Sequence, residues 1–246
     1  MYTDRQFCLP ETRAVAAEAR KESGINEHQR AELRQSLGRS LETCRAQTIE
    51  RLIQTVRARS VEPGGHISRQ GEAVPITLIL EGYGAARRTT SNGKELVNGV
   101  FPAGTLFGWS GITSVPSSVG LVALTECRIA QWTGAEIRSL VAQDPGLAMS
   151  AIDTMAWSLH AILEGIEGFL HQDARLRVLR ILARHRELFF DEPPVLTRAH
   201  LPALVGTSRE MTGHVLRQLE AEGTVKRVGR AGLKLLRPDQ LELTTS

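Results

Sequence analysis

The order of apolar and polar positions changes character three times along the chain. Leu33, Leu37 and Leu41 recur every fourth residue. Leu41, Ile49, Leu52, Ile53 and Val56 continue an amphipathic helical pattern. Gly24 and Gly38 interrupt it, and polar residues with scattered Arg and Glu fill the rest. Residues 1–47 are therefore expected to form a helical, partly mobile extension. Pro63-Gly64-Gly65 ends the helical character. From Val61 to Trp132 the chain turns to short β-rich runs such as Ile76-Thr77-Leu78-Ile79-Leu80, Leu96-Val97-Asn98-Gly99-Val100 and Leu121-Val122-Ala123-Leu124. Gly71, Gly82, Gly84, Gly93, Gly99, Gly104 and Gly108 fall between or beside them. Asn92-Gly93 is expected to make a two-residue hairpin turn, because both positions tolerate positive φ. Many short strands at roughly ten-residue spacing predict an antiparallel barrel or jelly roll over residues 48–143.

Helix returns at Thr133, where Thr133-Gly134-Ala135-Glu136 reads as a capping box. Asp144-Pro145 reads as an N-cap followed by proline at the first helical position. Ala148, Ile152, Met155, Leu159, Ile162, Ile166 and Phe169 then alternate at spacings of 4 and 3, a heptad seam. A helix over 144–172 would be ~40 Å long. One reading buries that face against the chain's own barrel. The narrow seam and the length favour a two-stranded coiled coil, with Ile152, Met155, Leu159, Ile162, Ile166 and Phe169 as the homodimer interface. Gly165 and Gly168 lie off the seam and weaken the end of the helix.

Composition narrows the class. Hydrophobic residues make up 41% and charged residues 23%, ordinary for a globular protein. No apolar run reaches ~18 residues and no apolar stretch follows the first residues, so neither a membrane span nor a secretory signal is expected. Cys8, Cys44 and Cys127 are odd in number and far apart, which fits a reducing cytoplasm better than a disulfide framework. The net charge of +3 is unevenly placed. Between His171 and Ser246, 13 Lys and Arg stand against 9 Asp and Glu, whereas the remainder holds 17 against 18. The basic excess thus sits in residues 173–246, where nucleic acid is a partner to weigh against a merely solvated surface.

That segment carries the most specific chemistry. Asp173 caps a helix with Leu176, Leu179, Ile181 and Leu182 inward, and Pro193-Pro194 marks a loop. Thr197 is expected to cap a short helix with Leu201, Leu204 and Val205, which Gly206 ends. Thr207-Ser208-Arg209-Glu210 opens the next, with Thr207 and Glu210 placed for a reciprocal capping box. Val215, Leu216 and Leu219 form its buried face, and Arg209, Glu210, Gly213, His214 and Arg217 lie on or near the other side. Two helices joined at a glycine, the second opening with polar side chains, describe a helix-turn-helix. Val225-Lys226-Arg227-Val228 and Leu233-Lys234-Leu235-Leu236 flank Gly229-Arg230-Ala231-Gly232, a basic hairpin or wing. Arginine offers a two-donor fork to guanine, and glutamate accepts from cytosine. Ser208, Arg217, Lys226, Arg227 and Arg230 are placed to meet phosphates, which position a domain without reading sequence. The plainer reading is an αα-hairpin with exposed charges, but turn, cap, wing and charge agree on a DNA reader.

The order of parts resembles the cAMP receptor protein/fumarate–nitrate regulator (Crp/Fnr) superfamily. Val205-Gly206-Thr207-Ser208-Arg209-Glu210-Met211-Thr212-Gly213-His214 is similar to its recognition segment, Leu219-Glu220-Ala221-Glu222-Gly223 to its helix ending, and Gln70-Gly71-Glu72 to its β-roll entry. The likeness covers roughly residues 48–240. It implies an α+β protein: an N-terminal double-stranded β-roll of the cyclic-nucleotide-binding type, a long dimerisation helix and a C-terminal winged helix-turn-helix. It implies that Arg209 and Glu210 read bases, with His214 where cAMP-responsive members have arginine. It also implies RNA polymerase as a partner. Pro202 inside the first helix of the motif is expected to remove a backbone bond and bend it.

The sensor departs from the family pattern. Cyclic-nucleotide binders carry a glutamate after the cassette glycine and an arginine some ten residues later. Here Trp109 and Ser117 stand there, and no Lys or Arg occurs between Lys94 and Arg128. A buried phosphate without a cation is costly, so cAMP is not expected. Trp109, Ser110, Ser117 and Ser118 remain a candidate pocket for an unidentified neutral or carboxylate effector. The three cysteines lack iron–sulfur spacing, and His28, His66, His160 and His171 are haem-ligand candidates by type alone. No cofactor and no metal are predicted. No nucleophile elbow, P-loop or paired metal-ligand motif is present, so an enzyme is not expected. The competing reading is a β-roll module acting on a protein partner.

Overall fold

The computed structural model describes residues 26–113 and 115–242; the first part of the expected extension, Gly24 and Cys8 included, lies outside the described residues. Helix α1 (Glu27–Ser40) starts at Asn26, which exchanges side-chain and backbone hydrogen bonds with Gln29. The every-fourth leucines do not belong to a loose extension. Leu33, Leu37 and Leu41 are 1%, 0% and 2% exposed, packed with Ile49, Leu52 and Ile53 of α2 (Ala46–Thr55). Burial of each leucine is worth ~1.5–3 kcal/mol, enough to hold the helix down. Arg128 fastens it further, donating to Glu32 at 2.6 Å and Glu81 at 2.8 Å.

Eight strands follow: β1 (Arg57–Val61), β2 (His66–Ser68), β3 (Ile76–Glu81), β4 (Tyr83–Thr89), β5 (Glu95–Pro102), β6 (Leu106–Phe107), β7 (Gly120–Ala123) and β8 (Cys127–Trp132). They make two four-stranded antiparallel sheets ordered β1-β8-β3-β6 and β2-β7-β4-β5, a β-roll. Ile79, Ile129, Ile67, Leu121 and Phe107 fill the space between the sheets. Ile76, Leu78, Leu80 and Trp132 point the other way, into a layer made by α1, α2 and the helices that follow. The β4–β5 turn is one residue longer than expected. Thr90 N–H donates to Lys94 O and Gly93 N–H to Thr90 O, so Ser91-Asn92-Gly93 forms a three-residue loop with Gly93 at φ 76°.

Helix α3 (Gly134–Val141) carries the expected Thr133–Glu136 capping box. Helix α4 (Pro145–His171) has Asp144 as N-cap and runs 27 residues. Asp144 is 2% exposed and accepts from the Arg45 N–H at 2.9 Å, the Thr48 hydroxyl at 2.6 Å and the Gly146 N–H at 2.9 Å. It therefore joins α2 to the start of α4. Within α4 only Leu147 and Ala151 are buried.

The C-terminal unit comprises α5 (Ala174–Arg184), α6 (Arg186–Phe190), α7 (Leu201–Val205), α8 (Arg209–Ala221), β9 (Val225–Val228), β10 (Gly232–Leu235) and a last short helix at Asp239–Glu242. Val178, Leu182, Phe189, Leu201, Leu219 and Val225 form its own core. Val97 and Val100 of β5, with Leu124, pack against that core from the roll. The architecture is the α+β one expected: β-roll, long helix, winged helix-turn-helix. No helix among the described residues is long and apolar enough to cross a membrane.

Candidate nucleic-acid interface

The two helices of the helix-turn-helix begin differently from the sequence expectation. Thr197 is not the cap of α7. Its N–H donates to His200 Nδ1 at 2.9 Å and its carbonyl accepts from the His200 N–H, a turn one step ahead of the helix. Pro202 therefore falls in the first turn of α7, where its missing N–H has no intrahelical partner to lose, and no bend follows. Gly206 ends α7 at φ 67° and donates to Pro202 O, as does the Thr207 N–H. Thr207 is thus consumed by the turn. Ser208 caps α8 instead, accepting from the Met211 N–H at 3.0 Å. The expected Thr207–Glu210 box is not formed.

The consequence is an unencumbered face. Ser208, Arg209, Glu210, His214 and Arg217 are all exposed, while Thr212, Val215, Leu216 and Leu219 are buried beneath them. Arg209 and Glu210 occupy the first turn, so their side chains project beyond the end of the helix. The first N–H groups of α8 also favour an anion nearby.

The wing lies beside this face. β9 and β10 pair antiparallel from Val225↔Leu235 to Val228↔Gly232, and Gly229 turns the tip at φ 53°. Lys226 and Arg230 are exposed. Arg227, expected to reach a phosphate, is ion-paired within the chain: its Nε donates to Glu220 Oε2 at 2.6 Å and its backbone N–H to Glu220 Oε1 at 3.0 Å. Arg198, which sequence reasoning passed over, donates to carbonyls at the wing tip.

From Ile152 to Ile166 the seam residues of α4 are exposed. Ile152, Leu159 and Ile162 are 52%, 58% and 50% exposed, and Met155, Ile166 and Phe169 are also exposed. Phe169, at the end of the seam, touches its own chain. Its ring lies against Gly206, under the Arg177 guanidinium at 5.0 Å from the ring centroid. The end of α4 thereby touches the turn between α7 and α8.

The four candidate effector residues lie in different surroundings. Trp109 is 4% exposed in the helix-side core, with its Nε1 unpartnered among the described residues. The Ser117 backbone bonds the Gly71–Glu72 turn, and Ser110 and Ser118 are exposed. Between the sheets, Phe101 stacks on Phe107 at 5.5 Å. An open groove of about 530 Å³ lies between α4, α5 and α7, lined by Glu164, Phe169, Arg177, Arg180, Arg184 and Leu204 among others. Cys127 is buried, and burial raises its thiol pKa; burial pushes the Cys44 thiol up to about 11. Neither of these thiols is poised as a thiolate.

Residues 58–144 match the cyclic nucleotide-binding domain family. The chain is 27% identical over 170 residues to the cAMP-activated global transcriptional regulator Vfr of Pseudomonas aeruginosa, covering 63% of this chain and 74% of that protein. Among solved structures it resembles the c-di-GMP-responsive global regulator CLP of Xanthomonas campestris, with TM-score 0.67 and 24% identity over 78% of this chain and 100% of that one. A CRP/FNR-family transcriptional regulator from Thermus thermophilus superposes with TM-score 0.66 and 22% identity, over 76% of this chain and 97% of that one.

Proposed function

From the premise that this chain has the sequence likeness, the fold and the order of parts of the Crp/Fnr superfamily, we propose that it is a dimeric transcription regulator binding an inverted-repeat DNA site. The observation that carries this reading is the exposed polar face of α8 set beside a basic wing. Arg209 and Glu210 read a G·C pair from both strands, and His214, shorter than arginine, reads the outer position with less discrimination. Ser208, Arg217, Lys226 and Arg230 hold phosphates. Two protomers zip through Ile152, Met155, Leu159, Ile162, Ile166 and Phe169, which places two reading helices about one turn of DNA apart. Selection from a random DNA library tests this. The wild type should recover an inverted repeat with a guanine in each half-site. Arg209→Ala should cost ~1–3 kcal/mol per half-site and relax preference at that guanine alone. A motif unchanged by Arg209→Ala would remove α8 as the reader.

We further propose that the effector, if a cyclic nucleotide in relatives such as Vfr, is not one here. The interior between the sheets is filled by aliphatic and aromatic side chains, and residues Glu95–Cys127 contain no Lys or Arg. A phosphate there would be desolvated without a counter-charge. Calorimetry should give no binding of cAMP or cGMP at micromolar concentration; clear micromolar heats would overturn this.

A further inference from the structure

We infer that Arg198, Glu220 and Arg227 form a clasp that sets the angle of the wing against the reading helix, with Arg198 as its positioning residue. This rests on the DNA-binding reading above and adds to it the part that aims the wing.

Arg198 lies in the loop between α6 and α7, 31 residues before Gly229. Its backbone N–H donates to Ala231 O at 3.0 Å. Its guanidinium donates to Gly229 O at 3.0 Å and to Arg230 O. Three successive carbonyls at the wing tip are therefore held by one residue. A two-stranded hairpin is marginal by itself, and charge-assisted bonds of this kind are about twice as strong as neutral ones. A single terminal nitrogen, Nη2, carries two N–H groups and serves both adjacent carbonyls. Arg198 Nε is buried with no partner among the described residues.

Glu220 completes the clasp from the other side. It sits in the last turn of α8, beside the wing. Its carboxylate accepts both the Arg227 backbone N–H and the Arg227 guanidinium. These bonds, together with the nearby charges of Arg227 and Arg198, hold it below the usual carboxylate range. Glu220 thus holds the Arg227 strand of the wing to α8, while Arg198 holds the tip from the loop before α7. Arg227 is paired with Glu220 at the surface. Arg230 has its backbone fixed while its side chain stays exposed. The clasp therefore places the Arg230 guanidinium at a set offset from Arg209, which is what a phosphate contact flanking a base contact requires.

Arg198→Ala, Arg230→Ala and the double variant, in the full-length protein, test this against salt-dependent binding to the selected operator. Arg230→Ala should weaken binding and lower the salt slope by about one per protomer. Arg198→Ala should match it in both, with the selected base preference unchanged. The double variant should bind within twofold of either single variant, because the second loss is already contained in the first. Multiplied losses and a slope lowered by two per protomer would make Arg198 a phosphate contact in its own right and overturn the inference; so would an Arg198→Ala that binds normally. Hydrogen exchange without DNA separates this from failure of the DNA reading. In Arg198→Ala the amides of Val228–Gly232 should exchange faster while Val215 and Leu216 keep their protection. Unchanged exchange at the wing refutes the clasp even if no operator is ever found.

Discussion

Gly206→Ala tests whether the end of the long helix is seated on the helix-turn-helix. Gly206 has φ 67°, a left-handed conformation that costs an L-residue ~1–2 kcal/mol. Alanine recovers ~0.4–1 kcal/mol of that by restricting the unfolded chain. The backbone part is then ~0.5–1 kcal/mol. The new Cβ would also stand 2.2 Å from Cζ and 2.3 Å from Cε1 of Phe169, far inside van der Waals contact. The ring is partly exposed and has room to swing away, but doing so breaks its contact with the Arg177 guanidinium, worth ~0.5–1 kcal/mol. Together the substitution should cost ~1–2 kcal/mol in urea unfolding at one fixed protein concentration. Repeated in a Phe169→Ala background, the cost should fall to the backbone part alone, ~0.5–1 kcal/mol. An equal cost in both backgrounds would show that the ring does not sit on Gly206, and the physical link from seam to reading motif would be lost with it.

Leu159→Asp places two carboxylates in one apolar layer of the proposed seam, where ionised groups are strongly disfavoured; light scattering should show monomer and operator affinity should collapse, and an unchanged dimer would move the interface elsewhere. Asp144→Ala removes the acceptor shared by Arg45, Thr48 and Gly146 and should cost ~2–4 kcal/mol, read from denaturant midpoints. Burial alone would raise the Asp144 pKa, but those hydrogen bonds and the Arg45 charge bring it below the ordinary value. Glu136 is held down to about 2, chiefly by its hydrogen bonds from Arg57. Both folded pKa values lie below the unfolded ones, so the stability these groups lend is complete above pH ~4 and is lost as pH falls through the folded values. Glu136→Gln should therefore flatten acid unfolding between about pH 4 and pH 2, and an acid limb of unchanged steepness would show that the Arg57–Glu136 pair contributes nothing.

What was legible in the sequence was what is decided within a turn or two of chain. The Thr133–Glu136 box and the Asp144-Pro145 start lie three residues or fewer apart, and both stand as read. The cap of α8 was ambiguous because Thr207 and Ser208 are both good cap residues. Tertiary geometry chose between them: the left-handed Gly206 turns the Thr207 N–H onto Pro202 O and leaves Ser208 the free position. The clasp on the wing was invisible, since Arg198 meets its carbonyls across 31 and 32 residues and no local pattern marks it. The docking of α1 is a different case, because its signal was present in another element. The run Ile76-Thr77-Leu78-Ile79-Leu80 is apolar on nearly every position instead of alternating, and a strand of that kind is buried on both faces. Ile79 meets the opposite sheet, so Ile76, Leu78 and Leu80 require a second cover. A helix with leucines at every fourth position, placed just ahead of the roll, is such a cover. The strand's lack of alternation, more than the helix's own pattern, is what argues that residues from Leu33 onward are part of the roll.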